Sequence, residues 1–352
     1  MLAASLISAY ISVKTEMTDK EVRKVTRMGA LGIDPSTPTP APILILGGAG
    51  FIGSHVVDSL MARGHTVIVG TRHPQRRSHD NSALIYRELH PDRLLDADAW
   101  TDALRDCAAV VNCVGILRER GHETYRRVHH QAPAALAQAC VVRGLRLVHV
   151  SALGLDADVR SGFLRTKRDG ETALRNSGAD WHIVRPSLLD GDGGFGARWI
   201  RRVARWPVHP LPRAACGRIA VLDVRDLGDA IARLVLDRMP SPHEEMIREH
   251  DLGGLQMRTL AEHLAAMRGM HTQHRALHLR IPDTLSRIAA HVCDLFHVTP
   301  FSYGHWELLQ RDNCPRHNRL PALLGRAPRD VGALTKTPLT SPVTLIDTQA
   351  SP

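Results

Sequence analysis

The chain has few aromatic residues for its size. Phe, Trp and Tyr make up 4% of 352 residues, so the stacking residues that usually accompany a basic nucleic-acid surface are scarce. The formal net charge is +9, but the positive residues are scattered and form no stripe. We therefore expect a basic surface suited to acidic partners, and no nucleic-acid partner.

The cysteines and histidines show no metal-binding spacing, and long apolar runs are missing. Six cysteines occur without a C-x-x-C pair, and 21 histidines include no H-E-x-x-H pattern. This predicts no disulfide framework and no metal site, and it favours a reducing compartment such as the cytoplasm. No apolar run reaches the ~20 residues that span a bilayer, so we expect no transmembrane segment. A peripheral position at the inner membrane face is the alternative location.

Lysine is nearly absent from the body of the chain. Between Val25 and Thr335 the only lysine is Lys167, whereas arginine is frequent throughout. An ammonium is a compact, rotatable donor, while a guanidinium is a planar fork. A single lysine among many arginines indicates a position where point-charge geometry matters, with chance codon usage as the plain alternative.

The strongest motif is a glycine-rich turn between a buried strand and a helix. The apolar run Ile43–Leu46 leads into GGAGFIG at 47–53, and helical spacing of apolar residues follows. The glycines permit a tight turn, let the backbone approach a pyrophosphate and let the helix lie close to its strand. The first-turn N–H groups form an anion site. With a second strand at 66–69, this order predicts dinucleotide binding by Gly47, Gly50, Phe51, Ile52 and Gly53.

Basic residues, and no acid, follow the second strand. An NAD enzyme carries an acidic residue about 20 residues beyond its glycines, where the carboxylate binds the ribose 2′-hydroxyl. No acid lies between Asp58 and Asp80, and the intervening positions include Arg72, His73, Arg76 and Arg77. These residues would bind a 2′-phosphate, so the sequence predicts NADP(H) as the preferred cofactor and NAD(H) as the alternative.

Further apolar runs complete a parallel sheet. Strands are predicted at 84–89, 108–115, 145–150 and 180–184, with helices at 98–106 and 127–143. Ligands of open parallel sheets bind outside the carboxyl ends of the strands. We therefore expect one crevice lined by Asn112, Gly115, Ser151, Pro186 and Ser187. The predicted fold class is α/β, a Rossmann-type doubly wound parallel sheet with a smaller, mostly helical C-terminal region for a substrate or partner.

The chain divides by composition into four predicted parts. Residues 1–41 are expected to be a disordered extension with a Pro-rich linker, 42–190 the Rossmann core, 191–334 the C-terminal region and 335–352 a flexible tail. A strand at 219–222 and a helix at 227–236, N-capped by Asp226, are expected to return to the core. From about His250 the pattern is helical.

Three features together resemble the extended and atypical short-chain dehydrogenases/reductases: the glycine turn, Ser151 after the fifth strand, and Lys167 downstream. The segments VVNCVGIL, HVSALG, FLRTKRDGE and RPSLLDG, with looser later matches, are similar to the NAD(P)-binding accessory subunit family of NADH:ubiquinone oxidoreductase and its bacterial relatives. The resemblance covers roughly residues 42–330.

The resemblance implies roles for individual residues. The turn glycines match the phosphate-binding glycines, and Arg72 matches the arginine that binds a 2′-phosphate. Glu88 falls where an acid meets the adenine, and the pair Pro186–Ser187 lies where the family approaches the nicotinamide. Ser151 matches the active-site serine, and Lys167 matches the motif lysine that also binds the cofactor.

One position departs from the catalytic pattern. Phe163 stands four residues before Lys167, where catalytic members carry a tyrosine that exchanges a proton with the substrate. General acid–base catalysis contributes about 10² to 10⁴-fold, so a dehydrogenase of the usual design would be crippled. Tyr125 is too distant in sequence to be assumed a substitute.

Three functions follow from these features. The first is a binding protein that holds NADP(H) for a respiratory or quinone-linked assembly, with weak or no dehydrogenase activity. The second is an oxidoreductase or epimerase-like enzyme acting on a quinone, an isoprenoid or a sugar nucleotide. The third is a regulatory module whose partner affinity depends on the cofactor's oxidation state.

Overall fold

The computed structural model describes residues 41–74, 83–156, 158–236, 247–296 and 299–332. The predicted extension through Pro40, the tail at 335–352, and Arg76 and Arg77 lie outside these residues. The contacts within the chain divide it after Pro40, and every described residue belongs to the second part.

The strands and helices alternate over most of the described chain. The strands are β1 (Ile43–Leu46), β2 (Val67–Thr71), β3 (Leu84–Glu88), β4 (Ala109–Asn112), β5 (Arg146–Val150), β6 (Asp180–Pro186), β7 (Leu189–Asp190), β8 (Val208–Pro212), β9 (Arg218–Ile219), β10 (Leu222–Asp223), β11 (Glu249–Leu252), β12 (Arg258–Thr259) and β13 (Leu277–Ile281). The α-helices are α1 (Phe51–Met61), α2 (Thr101–Leu104), α3 (Ala132–Arg143), α4 (Gly162–Arg175), α5 (Phe195–Ala204), α6 (Val224–Leu236), α7 (Leu260–Gly269), α8 (Asp283–Phe296), α9 (Tyr303–Leu308) and α10 (Leu320–Leu324). A π-helix at Arg126–Gln131 leads into α3.

Seven strands form the main sheet, in the order β11-β6-β5-β4-β1-β2-β3. All the pairings are parallel, and Ile43 of β1 lies between Val67 of β2 and Ala109 of β4. The chain therefore winds from β1 to one edge and then returns to wind from β4 to the other. This order confirms the predicted doubly wound fold. It places a ligand crevice at the carboxyl ends of the neighbouring strands β1 and β4, where the direction of winding reverses.

The two faces of the sheet are covered by separate apolar cores. Ile43 and Ile45 join α1 and α6 on one face, whereas Leu44 and Leu46 join Trp100 and α3 on the other. Successive side chains of a strand point to opposite faces. A strand that is covered on both faces must be apolar throughout, which explains the unbroken run at 43–46.

The segment from His250 was predicted to be helical, and this is wrong at its start. Glu249–Leu252 is instead the edge strand β11, pairing with Ile183–Pro186 of β6. Its burial alternates, with His250 and Leu252 inward, and Arg185 and Arg175 form ion pairs with Glu249. A charged four-residue edge strand carries too little apolar periodicity to be recognised.

Two smaller predictions in this region also change. The expected strand at 219–222 is divided between β9, which pairs with β12, and β10, which pairs with β7, so neither part joins the main sheet. The helix begins at Val224, which puts the predicted N-cap Asp226 inside its first turn. Asp226 is buried and binds Arg326 and Arg329 from the C-terminal segment.

Candidate functional site

The glycine turn joins β1 to α1 and shapes an anion site. Gly47 has a φ of +72°, a conformation that side chains disfavour. A Cβ on Gly53 would lie 2.3 Å from the Gly47 carbonyl oxygen, so only glycine lets the helix approach the turn this closely. No side chain caps α1, and its first turn contains no acid. The first-turn N–H groups are therefore available to a phosphate.

A cleft of about 470 Å³ opens beside this turn, at the carboxyl ends of the central strands. Its volume falls within the range of ordinary ligand sites. Eight of the predicted site residues line it together: Gly47, Gly50, Phe51, Ile52, Arg72, Gly115, Ser151 and Lys167. The structure thus brings the glycine turn, the arginine after β2, and the serine and lysine after β5 to one place.

Other predicted residues lie near the cleft without lining it. The Asn112 side-chain oxygen accepts the Val114 N–H at 3.0 Å, and its amide lies 3.1 Å from His149 Nδ1. Asn112 is buried, so it shapes the loop that carries Gly115. Glu88 is exposed at the end of β3, with its carboxylate 3.1 Å from His90.

The pair Pro186–Ser187 lies at the end of β6 and is not among the residues that line the cleft. The buried Ser187 hydroxyl donates to the Asn313 carbonyl oxygen at 2.5 Å and accepts the Ala220 N–H at 3.0 Å. These two bonds tie the segment after β6 to the C-terminal region. The predicted contact of this pair with a nicotinamide stays a prediction.

Several residues that line the cleft were missed from the sequence. They lie after strands β3 and β4, in the loop before the π-helix, or in the π-helix itself: Leu89, Pro91, Asp92, Cys113, Val114, Ile116, Glu123 and Val128. Position after a strand end was the signal that could have found most of them. Glu123 gave no such signal.

Glu123 forms an ion pair with Arg72. The Arg72 side chain is 54% exposed and the Glu123 side chain 27%, so the pair lies at the mouth of the cleft. A 2′-phosphate bound by Arg72 must share the guanidinium with this carboxylate. The pair therefore weakens, without removing, the attraction of this end of the cleft for a third phosphate.

Lys167 and Ser151 form the opposite end of the cleft. Burial lowers the pKa of Lys167 to about 8, against the opposing charge of Glu171. The buried Ser151 hydroxyl helps to lower the pKa of Glu171, yet makes no hydrogen bond of normal geometry to a described residue. A buried polar atom without a good partner indicates a place for a ligand atom. The residues present thus fit a bound dinucleotide, which would supply the redox chemistry.

Glu171 connects α4 to the neighbouring strand β6 through hydrogen bonds with Arg185. Burial alone would raise the pKa of Glu171, but hydrogen bonds from Arg185 outweigh it and the pKa lies below its ordinary value. Arg185 binds both Glu171 oxygens, at 2.8 and 2.7 Å, and Arg175 adds a bond at 2.8 Å. This network fixes the helix that carries Lys167 and Phe163.

Phe163 does not line the cleft but sits in an aromatic cluster behind Lys167. Its ring lies 5.7 Å from the ring of Tyr125, 5.4 Å from His129 and 5.8 Å from His305, and the Lys167 ammonium is 5.7 Å from its centre. Tyr125, distant in sequence, is thus a spatial neighbour of the substituted position. This cluster was not predicted, because its members come from three separate segments.

The polar atoms of this cluster are already engaged. The Tyr125 hydroxyl donates to the Leu117 carbonyl oxygen at 2.9 Å, and burial raises its pKa to about 12. His129 Nε2 accepts the Ile116 N–H at 3.1 Å, which assigns the proton to Nδ1, 3.3 Å from Thr166 Oγ1. Burial lowers the pKa of His129 well below its ordinary value. Neither group is poised to give a proton at neutral pH.

The fold and the site define the class of protein. Residues 47–218 match the NAD(P)H-binding family model. Together with the parallel sheet and the motifs along the cleft, this match makes residues 47–218 similar to NAD(P)H-binding domains and agrees with the predicted resemblance to the extended and atypical short-chain dehydrogenases/reductases.

Two curated proteins are similar to this chain over part of its length. The chain is 29% identical over 205 residues to the ceramide reductase of Caulobacter vibrioides, covering 57% of this chain and 62% of that protein. It is 31% identical over 155 residues to NADH dehydrogenase [ubiquinone] 1 alpha subcomplex subunit 9, mitochondrial, of Rattus norvegicus, covering 42% and 40%. The matches thus span less than two thirds of either relative.

Solved structures show the same fold. UDP-glucuronic acid 4-epimerase from Bacillus cereus, in complex with UDP-glucuronic acid and NAD, superposes with a TM-score of 0.59 at 15% identity, covering 83% of this chain and 95% of that one. Epimerase Mth375 from Methanothermobacter thermautotrophicus gives a TM-score of 0.60 at 14% identity, covering 82% and 88%. At this identity the likeness concerns the fold alone.

The residues that the structure describes contain no group of three or more His, Cys, Asp or Glu side chains that could hold a metal ion. No helix in the described ranges combines the length and the apolarity that a bilayer crossing requires.

Proposed function

We propose that this protein holds NADP(H) as a tightly bound ligand in a respiratory or quinone-linked assembly, with weak or no ordinary dehydrogenase activity. The observation that carries the proposal is a nucleotide cleft lined by Lys167, behind which Phe163 stands at the position of the proton-donating tyrosine, enclosed by Tyr125, His129 and His305. The residues expected to bind the nucleotide are present, whereas the tyrosine expected for proton transfer is replaced by phenylalanine, which has no hydroxyl proton.

The surrounding groups do not replace the missing phenol. Tyr125 donates its proton to a backbone carbonyl, and both ring nitrogens of His129 have partners. Burial also lowers the pKa of His305 to about 4. With the general acid gone, about 10² to 10⁴-fold of rate enhancement is lost. Bound nucleotide would therefore be retained rather than turned over.

Arg72 supports NADP(H) over NAD(H) as the resident cofactor. It lines the cleft at the end of β2, the position where an NAD-specific protein carries a carboxylate. The ion pair with Glu123 neutralises part of the Arg72 charge, so we expect a moderate preference for NADP(H) over NAD(H). The similarity to a subunit of a mitochondrial NADH dehydrogenase supports a respiratory partner.

A second candidate is an NAD(P)H-dependent reductase of a lipid-borne or quinone carbonyl. The observation that favours it is Lys167, whose pKa of about 8 makes its ammonium a competent acid near neutral pH. In that role Lys167 would hold the proton for the carbonyl oxygen, and a bound NAD(P)H would supply the hydride. The similarity to a ceramide reductase fits this alternative.

The test is NADPH oxidation by the purified chain, with a keto-ceramide and decyl-ubiquinone as separate probes. For the wild type we expect turnover far below the ~1 s⁻¹ at which typical enzymes begin. Phe163→Tyr should raise the rate with the keto-ceramide by about 10² to 10⁴-fold. Tyr125→Phe is the matched control, since it removes a neighbouring phenol that faces a backbone carbonyl, and it should change nothing.

Two outcomes would overturn the proposal. Wild-type turnover above ~1 s⁻¹ that is lost in Lys167→Met even at saturating NADPH would establish the reductase with Lys167 as its acid. A partner protein that binds with only NADP⁺ or only NADPH present, without turnover, would instead identify the regulatory module.

A further inference from the structure

Helix α8 exposes its large apolar residues and buries its small ones. Among its residues Ser286 and Ala290 are the buried ones, whereas Leu285 is 55% exposed, Ile288 58%, Leu295 74% and Phe296 69%. A surface helix of a globular protein normally turns its apolar stripe toward the core. Here the orientation is reversed, so the folded chain presents a hydrophobic stripe to its surroundings.

The exposed residues form one continuous face. Leu285, Ile288, Val292 and Leu295 are separated by three, four and three positions, a spacing that aligns side chains along one side of an α-helix. We call Leu285, Ile288, Val292, Leu295 and Phe296 the outer face of α8. Contiguous apolar patches of this kind mark sites of interaction rather than ordinary surface.

The strand directly before α8 extends the apolar character. Leu277 and Leu279 of β13 are 68% and 51% exposed, and they alternate with His278 and Arg280, also exposed. Leu277 pairs with Val208 of β8, another exposed apolar residue. The segment from Leu277 to Phe296 therefore shows exposed leucines beside exposed basic residues.

The acids of α8 form hydrogen bonds to neighbouring elements of the fold. Asp283 accepts the Ala214 N–H at 2.8 Å. Asp294 accepts a bond from Arg118 Nε at 3.3 Å and from the Tyr303 N–H at 3.0 Å. Each carboxylate is thus committed to a neighbouring element of the fold.

The basic residues of the segment remain outward. Arg280, Arg287 and His291 are exposed, and neither arginine forms an ion pair with any residue in the described ranges. His291 stacks flat on Tyr303, with ring centres 4.5 Å apart, which holds it beside the helix. Two exposed arginines, Arg280 and Arg287, therefore accompany the apolar stripe.

We propose that the outer face of α8, with the exposed leucines of β13 that precede it in the chain, docks onto an anionic membrane surface. An apolar face bordered by arginines is the signature of a helix that lies in the plane of the lipid headgroups. Anionic lipids complement the charge of the exposed arginines. A second copy of this chain is a poorer fit, because it would present the same exposed arginines, while the acids of α8 are already bonded to neighbouring elements. The inference does not depend on what the nucleotide cleft does.

Flotation of the full chain with lipid vesicles tests this inference. With vesicles of phosphatidylcholine and phosphatidylglycerol at three to one we expect binding that weakens with salt, and with pure phosphatidylcholine much weaker binding. The double substitution Leu285→Ser with Ile288→Ser should weaken binding at least about tenfold, since each side chain loses its apolar contact with lipid. Arg287→Glu should weaken binding only to the anionic vesicles.

Val142→Ser is the matched control. Val142 is 82% exposed on α3, so it removes an equally accessible apolar group from another helix and should leave vesicle binding unchanged. Retained NADPH binding by the double variant would show that its fold is intact.

Other results would assign the face differently. Equal flotation of the wild type and the double variant, or no flotation with anionic vesicles, would overturn the inference while leaving the nucleotide site untouched. A concentration-dependent dimer that the double variant abolishes would give the face to a second copy. Flotation that appears only after removal of residues 1–40 would give it to the chain's own N-terminal segment.

Discussion

Replacing Lys167 by methionine should stabilise the nucleotide-free protein. Burial lowers the Lys167 pKa from its ordinary value of 10.5 to about 8, a difference of about 2.5 at ~1.4 kcal/mol for each pH unit. This sets an upper limit on the order of 3 kcal/mol for the cost of keeping the ammonium charged. Since Lys167 retains some exposure to the cleft, we expect a gain of about 1 to 3 kcal/mol at pH 7.

The sign of the pH dependence follows from proton binding. Between pH 8 and 10.5 the unfolded chain binds more protons at position 167 than the folded chain does, so the stability of the wild type should rise across this window. Below pH 8 both states are protonated, and the full penalty is present. Lys167→Met removes the titration, so its advantage should be largest at pH 7 and vanish near pH 10.5.

Urea unfolding of both proteins from pH 6.5 to 10 measures this difference, and comparing them cancels the titration of cysteines. In the same variant NADPH binding should weaken by about tenfold or more, the loss of one charge-assisted hydrogen bond. Opposite effects on stability and binding are expected where a residue is kept for function. A variant less stable than the wild type at pH 7, or a wild type whose stability does not rise above pH 8, would refute the reasoning.

The remaining predictions concern the other end of the cleft. Arg72→Ala should weaken NADPH binding by about tenfold or more and leave NADH binding nearly unchanged, whereas Glu123→Gln should strengthen NADPH binding by releasing Arg72; equal losses for both nucleotides in Arg72→Ala would remove the 2′-phosphate role. Gly53→Val should abolish binding of both nucleotides in calorimetry, because the new Cβ would lie 2.3 Å from the Gly47 oxygen. Ala62→Val, just beyond the end of the same helix, is its control, and unchanged binding in the Gly53 variant would contradict the turn geometry.

The central strands and the glycine turn could be predicted from the sequence because they are specified locally. The run at 43–46 is buried on both faces and therefore apolar at every position. The glycines at 47 and 53 are required by backbone geometry that no neighbouring segment can alter. Local signals of this kind place the cleft, and with it Ser151 and Lys167.

Features assembled from distant segments could not be predicted in the same way. The surroundings of Phe163 come from the π-helix, α4 and α9, and no spacing in the sequence relates Tyr125 or His129 to His305. In strand β11 the charge of Glu249 is neutralised by Arg185, a residue of another segment. Without that partner the charged sequence predicts an exposed segment and not a strand of the main sheet. Asp226 carries an N-cap pattern, yet its partners lie about 100 residues later.

The exposed stripe on α8 is another feature that could not be predicted from local sequence alone. Its apolar spacing is evident in the sequence and by itself predicts a helix that faces the core. Only the packing of Ser286 and Ala290 against the protein shows that the stripe points outward. Periodicity identifies the face of a helix but not what covers it.

The central claim is that a dinucleotide lies against the start of α1 and is held without being used. Calorimetric titration of the nucleotide-free chain with NADPH, with NADH in a parallel cell, tests it most directly. We expect saturable one-to-one binding, tighter for NADPH, with no loss of the reduced nucleotide's absorbance over the experiment. Absence of saturation by either nucleotide at millimolar concentration would contradict it.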